Sequence, residues 1–83
     1  MYTVEYIDSV KDDLKKISKP DKEIIRKTIE KKLITNPLDF GKPLQYSKKG
    51  LRSLRVGDYR VIFKIEEITV LIVKIVHRKE VYD

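Results

Sequence analysis

An α+β fold in the order β-α-α-β-β-β, with a helical hairpin packed on one face of an antiparallel sheet, is predicted by three features of this 83-residue sequence. Two successive segments ahead of residue 36 carry apolar residues at helical spacing. From Leu51 onward the chain reads as three strands. The first two of these meet at Gly57-Asp58, a pair suited to a tight hairpin.

Each element has its own signal. Tyr2 to Ile7 alternates Tyr2, Val4 and Tyr6 with Thr3, Glu5 and Ile7, as a first strand would. From Asp8 the period lengthens. Val10, Leu14 and Ile17 form one stripe of a short helix, whose other faces carry Lys11, Asp12, Asp13, Lys15 and Lys16. Ser18-Lys19-Pro20 interrupts it. Pro20 suits the first turn of a second helix, with Asp21 and Glu23 near its positive N-terminal end. Ile25, Ile29 and Leu33 recur at every fourth residue, with Ile24 widening the stripe, until Asn36-Pro37 stops the helix. Leu38 to Gly50 reads as a loop holding two glycines and Pro43. Strands follow at about 51–56, 59–65 and 69–77. The last is almost continuously apolar, which suggests a central strand covered on both faces. Without repeats, low-complexity stretches or a linker, residues 1–83 read as a single domain.

The hairpins set which side chains share a face. A type II′ turn at Gly57-Asp58 pairs Val56 with Tyr59, Arg55 with Arg60 and Leu54 with Val61. Two arginines then stand directly opposite each other, a destabilising arrangement that a polyanion lying across them would relieve. At the next turn, a two-residue loop of Glu66-Glu67 would mix charge into both faces. A three-residue connection (Glu66, Glu67, Ile68) sorts them. Tyr59, Val61, Phe63, Ile65, Leu71, Val73 and Ile75 then face the helices, and Arg60, Lys64, Lys74 and Arg78 share the other side. The exposed sheet face would carry Arg55, Arg60, Lys74 and Arg78, with Ile62, Ile72 and Val76 among them, a surface suited to phosphates and stacked bases.

Charge points the same way. The formal net charge is +6, yet residues 1–40 hold nine Lys/Arg against eight Asp/Glu, whereas residues 41–83 hold ten against five. From Lys42 to Arg60 there are six basic residues (Lys42, Lys48, Lys49, Arg52, Arg55, Arg60) opposed only by Asp58. Nucleic acid or an acidic protein is the expected partner of that segment. The absence of cysteine and the lone His77 leave no expected metal or cofactor site. No stretch reads as a signal peptide or is apolar enough to span a bilayer, so a soluble cytoplasmic protein with no membrane partner is expected.

Leu54-Arg55-Val56-Gly57-Asp58-Tyr59-Arg60-Val61-Ile62-Phe63, followed by Val76-His77-Arg78-Lys79-Glu80-Val81-Tyr82, closely resembles the RelE toxins of the RelE/ParE superfamily. The resemblance extends over nearly the whole chain. It implies a toxin of a type II toxin–antitoxin pair that enters the ribosomal A site and cleaves mRNA there, by 2′-hydroxyl attack on the adjacent phosphate and without a metal. It implies further that Arg60 stabilises charge on the scissile phosphate, Arg78 assists the transition state or leaving group, and Tyr82 stacks on a base. Lys48, Lys49, Arg52, Arg55, Lys64, Lys74 and Lys79 would contact RNA of the message or ribosome. The implied partner is an acidic, RelB-like antitoxin.

Aligned without gaps, two strand lysines of the family fall on Leu51 and Ser53, leaving the proton-transfer groups unassigned. Lys48, Lys49 or Arg52 could reach in from nearby, although the hairpin register points Arg52 to the helix face. Strand parity points His77 away from Arg78 and gives it a structural role. No C-terminal helix is expected beyond Tyr82. Two other functions fit the same residues: a ParE-like toxin that poisons DNA gyrase, and a non-catalytic RNA- or ribosome-binding module.

Overall fold

A computed structural model describes residues 1–44 and 50–81. Its elements are β1 (Thr3–Tyr6), α1 (Asp8–Lys15), α2 (Lys19–Thr28) running into a π-helical turn at Ile29–Leu33, α3 (Pro37–Phe40), β2 (Lys42–Pro43), β3 (Arg52–Val56), β4 (Tyr59–Glu66), β5 (Thr69–His77) and α4 (Arg78–Val81). The expected helical hairpin on one face of a sheet is therefore present. Ser18 starts α2 by accepting the Asp21 N–H, and Pro20 sits in the first turn, where a missing N–H costs nothing. Among the described residues the sheet has five strands in the order β1-β5-β4-β3-β2. Four run antiparallel. β1 instead lies parallel to β5, so the sheet is mixed. Its direction follows from the helical pair, which carries the chain back across the inner face before the hairpins begin.

The stretch read as a loop from Leu38 holds two short elements. Asn36-Pro37 ends one helix and begins another, because Pro37 is pre-set for a first helical position. Lys42–Pro43 then pairs with Arg52–Ser53 as a two-residue edge strand. A short helical turn, α4, also follows directly on β5.

The first hairpin has the expected register, with Arg55 opposite Arg60 and Gly57 at φ +59° in the turn. The second differs from expectation. Its loop is the two residues Glu67-Ile68, with Glu67 at φ +56°, so Phe63 faces Ile72 and Ile65 faces Val70. Val70 and Ile72 are fully buried on the helix side, while Leu71 and Val73 are half-buried on the outer side. Unbroken alternation would then have driven Lys74 into the core. A bulge opposite Ile62/Phe63 absorbs Val73 as an extra residue and resets the parity, so Ile75 turns in and Lys74 turns out. The predicted pairing fails twice, at a loop of two residues instead of three and at this bulge, so Leu71 and Val73 face outward and Ile72 inward, the reverse of expectation.

One core results. Val10, Ile17, Ile25, Ile29 and Leu33 from the helical layer meet Leu54, Val56, Val61, Phe63, Val70, Ile72 and Ile75 from the sheet. Tyr2 N–H bonds Ile34 O at 2.8 Å, tying the end of the helical pair to the start of β1. Gly41 lies against Phe63 so closely that a Cβ there would stand 2.2 Å from the ring. Phe63 is fully buried and cannot swing away. Gly41→Ala should therefore lower unfolding stability by about 1–3 kcal/mol, through overpacking. Glu67→Gly should raise it by roughly 1 kcal/mol, because glycine adopts the left-handed region without the side-chain penalty. Chemical denaturation of the two variants checks both signs.

Candidate nucleic-acid interface

The arginines gather where the first hairpin turns. Arg55 on β3, Arg60 on β4 and Arg78 at the start of α4 line one recess with Gly57, Asp58 and Tyr59. Its volume is about 80 Å³. That is small beside the roughly 300–1,000 Å³ of typical small-molecule pockets, so it suits a small anion and not a base. Arg78 comes to the turn because its backbone N–H bonds Asp58 O at 2.7 Å, while its Nε lies 3.7 Å from Asp58 Oδ1. Arg55 donates from Nε to Gly57 O at 3.2 Å, which draws its guanidinium back along its own strand toward the turn. Arginine forks match the paired oxygens of a phosphate, so three around one recess form an anion site.

The opposite side of this turn is structural. Tyr59 donates its hydroxyl to Asp21 Oδ2 at 3.4 Å and meets His77 edge-on, with ring centroids 5.2 Å apart. His77 Nδ1 accepts the Lys79 N–H at 3.2 Å. His77 thus packs away from the recess, as strand parity predicts.

Other predicted contacts sort differently. Lys64 shares the outer face but pairs with Glu66 at 3.4 Å. Lys74 is not part of the arginine group: it bonds Asp13 Oδ1 at 3.0 Å, and Asp13 Oδ2 also accepts the Ile75 N–H. β1 reaches only as far as Ile72, so α1 covers the freed edge of β5 and draws Lys74 toward it. Arg52 is likewise withdrawn from the face expected to bind RNA. It stands opposite Phe63, on the helix side, and its Nη2 bonds Gly41 O at 2.6 Å and Leu38 O at 3.1 Å. Lys79 is exposed on α4 but does not line the recess. Lys48, Lys49 and Tyr82 lie outside the described residues.

The sequence reading missed an adjoining open groove of about 650 Å³. Lys32, Phe40, Lys42 and Ser53 line it together with Arg55 and Arg60. Its cue was the Asn36-Pro37 helix restart, which sets Phe40 and Lys42 beside β3. No group of three or more potential metal ligands occurs among the described residues. No helix among them is long and apolar enough to cross a membrane.

Residues 4–82 match the family described as "ParE toxin of type II toxin-antitoxin system, parDE". Toxin RelG of Mycobacterium tuberculosis is 32% identical over 83 residues, covering 98% of this chain and 95% of that protein. The chain belongs to the RelE/ParE superfamily of type II toxins. Toxin RelE of the same organism is 49% identical over 35 residues, covering 42% of this chain and 36% of that protein. The RelBE2 toxin–antitoxin complex of M. tuberculosis contains a chain that superposes with a TM-score of 0.76 at 31% identity, over 93% of this chain and 98% of that one. YafQ of Escherichia coli shares the fold, with a TM-score of 0.74 at 24% identity over 100% of both chains. The α+β fold of this superfamily is thus the fold of this chain.

Arg52 separates structure from recognition. Arg52→Ala removes a charged donor from two carbonyls at the end of α3 and should lower stability by about 1.5–3 kcal/mol. Thermal unfolding of the purified variant checks this. An unchanged midpoint would return Arg52 to the list of surface cations.

Proposed function

We propose that this RelE/ParE-superfamily toxin is an mRNA endoribonuclease that acts in the cytoplasm on message in the ribosomal A site and is neutralised by a cognate acidic, RelB-like antitoxin. The single observation that carries the reading is the meeting of Arg55, Arg60 and Arg78 at one recess on the exposed side of the first hairpin. Similarity to RelG and RelE supports the ribonuclease class. Similarity to a chain of the RelBE2 complex supports the antitoxin.

In the proposed reaction the 2′-oxygen attacks the adjacent phosphorus and loses its proton. The bond from phosphorus to the 5′-oxygen breaks, and that oxygen gains a proton. A 2′,3′-cyclic phosphate and a 5′-hydroxyl result. Arg60 binds the non-bridging oxygens, where charge accumulates in the transition state. Arg78, held by Asp58, is aimed at the same phosphate and supports the departing oxygen. Tyr82 stacks on a base beside the cleaved bond. Lys48, Lys49, Arg55, Lys64 and Lys79 add phosphate contacts. The groups that move the protons are not assigned to His77, whose ring is committed to Tyr59 and the Lys79 N–H.

A second reading has its own support, because the matching family is described by ParE. A ParE-like toxin would poison DNA gyrase and leave RNA intact. Induced expression with primer-extension mapping separates the two. Cuts within translated codons fit the ribonuclease; intact message with induced DNA damage fits the gyrase poison. Arg78→Ala should abolish growth inhibition on induction while the protein still co-purifies with its antitoxin. Undiminished toxicity would remove Arg78 from the catalytic group.

A further inference from the structure

The groove beside the arginine recess has features that the recess alone does not use. β2 pairs only with Arg52 and Ser53, so beyond Ser53 the outer edge of β3 is left without a strand neighbour among the described residues. The groove follows that edge. Arg55 and Arg60 line both it and the recess, so the two are continuous. Lys42 stands directly opposite Ser53 and is exposed. Lys32 and Phe40 come from the helical layer. The Lys32 ammonium lies 5.3 Å from the centroid of the Phe40 ring, which fixes one side of an aromatic that is 43% exposed. Cations along a track, with an exposed aromatic beside them, are the ingredients of a single-strand nucleic-acid site. A volume of about 650 Å³ admits a nucleotide, which the recess does not.

We propose that this groove is a second subsite for the RNA strand, in which Lys42 holds the phosphate next to the one bound by the arginines and Phe40 stacks on the attached base. Lys42 is a contact residue here, filling from a neighbouring strand the space that Ser53 leaves. The inference rests on the ribonuclease reading and deepens it by naming where the substrate continues past the cleaved bond. An acidic polypeptide is the rival occupant, but it would have no use for an aromatic platform beside the cations.

The test is fluorescence anisotropy with a fluorescein-labelled RNA hexanucleotide, 2′-O-methylated throughout so that it cannot be cut. Purified parent protein and the variants Lys42→Ala, Lys42→Arg and Phe40→Ala are compared at two salt concentrations. Both side chains are on the surface, and circular dichroism confirms that the variants are folded. Lys42→Ala should weaken binding severalfold and reduce the salt slope by about one, with Lys42→Arg restoring it. Phe40→Ala should weaken binding by about fivefold or more and leave the salt slope in place. Parent-like binding by Lys42→Ala and Phe40→Ala, or no binding by the parent, overturns the proposal. So does hexaglutamate binding as tight as that of the RNA and dependent on Lys42 but not on Phe40. Arg60→Ala tells the two claims apart. If it cleaves message like the parent, the arginine-centred reaction fails; if it is inactive while both groove variants bind normally, only the second subsite fails.

Discussion

The Gly57-Asp58 turn is the constraint on which the site depends. With only two residues to reverse the chain, it fixes the register that sets Arg55 against Arg60. The same turn offers two carbonyls and a carboxylate to the arginines around it. Gly57 O turns Arg55 back toward the turn, and Asp58 draws in the first residue after β5. Two like charges about 4 Å apart repel by roughly 1 kcal/mol in bulk water and about 4 kcal/mol at the effective dielectric near a protein surface. The bond to Gly57 O directs one of the two guanidiniums to the turn. Gly57 itself is needed for its positive φ, since open space surrounds it.

Most of the architecture was legible because hydrophobic period and turn chemistry agree along the chain. Val10/Ile17 and Ile25/Ile29/Leu33 are buried as the helical spacing required, whereas Leu14 is half-buried and Ile24, expected to widen the second stripe, is exposed. The second hairpin was not legible, and the reason is specific. Its alternation on β5 is inconsistent with any single register that keeps both Ile72 and Ile75 inside, and the chain resolves this with a bulge at Val73. A reader who demands uninterrupted alternation chooses the wrong half of the strand to trust. The left-handed Glu67 was hidden as well, because glutamate carries no sign of that conformation.

For the candidate site, residue type and strand parity were enough to bring Arg55, Arg60 and Arg78 together and to turn His77 away. They did not name the partners of the structural cations. Parity put Arg52 on the helix side without showing what it binds, and Lys74 looks the same in sequence as Lys64. Arg52 serves the carbonyls of Leu38 and Gly41, and Lys74 serves Asp13. Those partners lie 11 to 61 residues away in sequence, beyond the reach of any local pattern. Lys42 was passed over for the converse reason. Its place beside Ser53 and the arginines comes from a two-residue strand that no periodicity could reveal.

Asp58 at first looks misplaced, a carboxylate among arginines built to hold an anion. Position, not charge, gives it a use on the proposed ribonuclease reading. A phosphodiester in the ground state brings one negative charge, whereas the five-coordinate transition state carries nearly two. Each guanidinium therefore gains attraction as charge develops, and Asp58 opposes that gain in the same proportion. What the carboxylate supplies is geometry: with the Asp58 carbonyl it holds Arg78 at the turn. A donor already in place needs no reorganisation when charge appears on the phosphate, and that differential is what accelerates the chemical step.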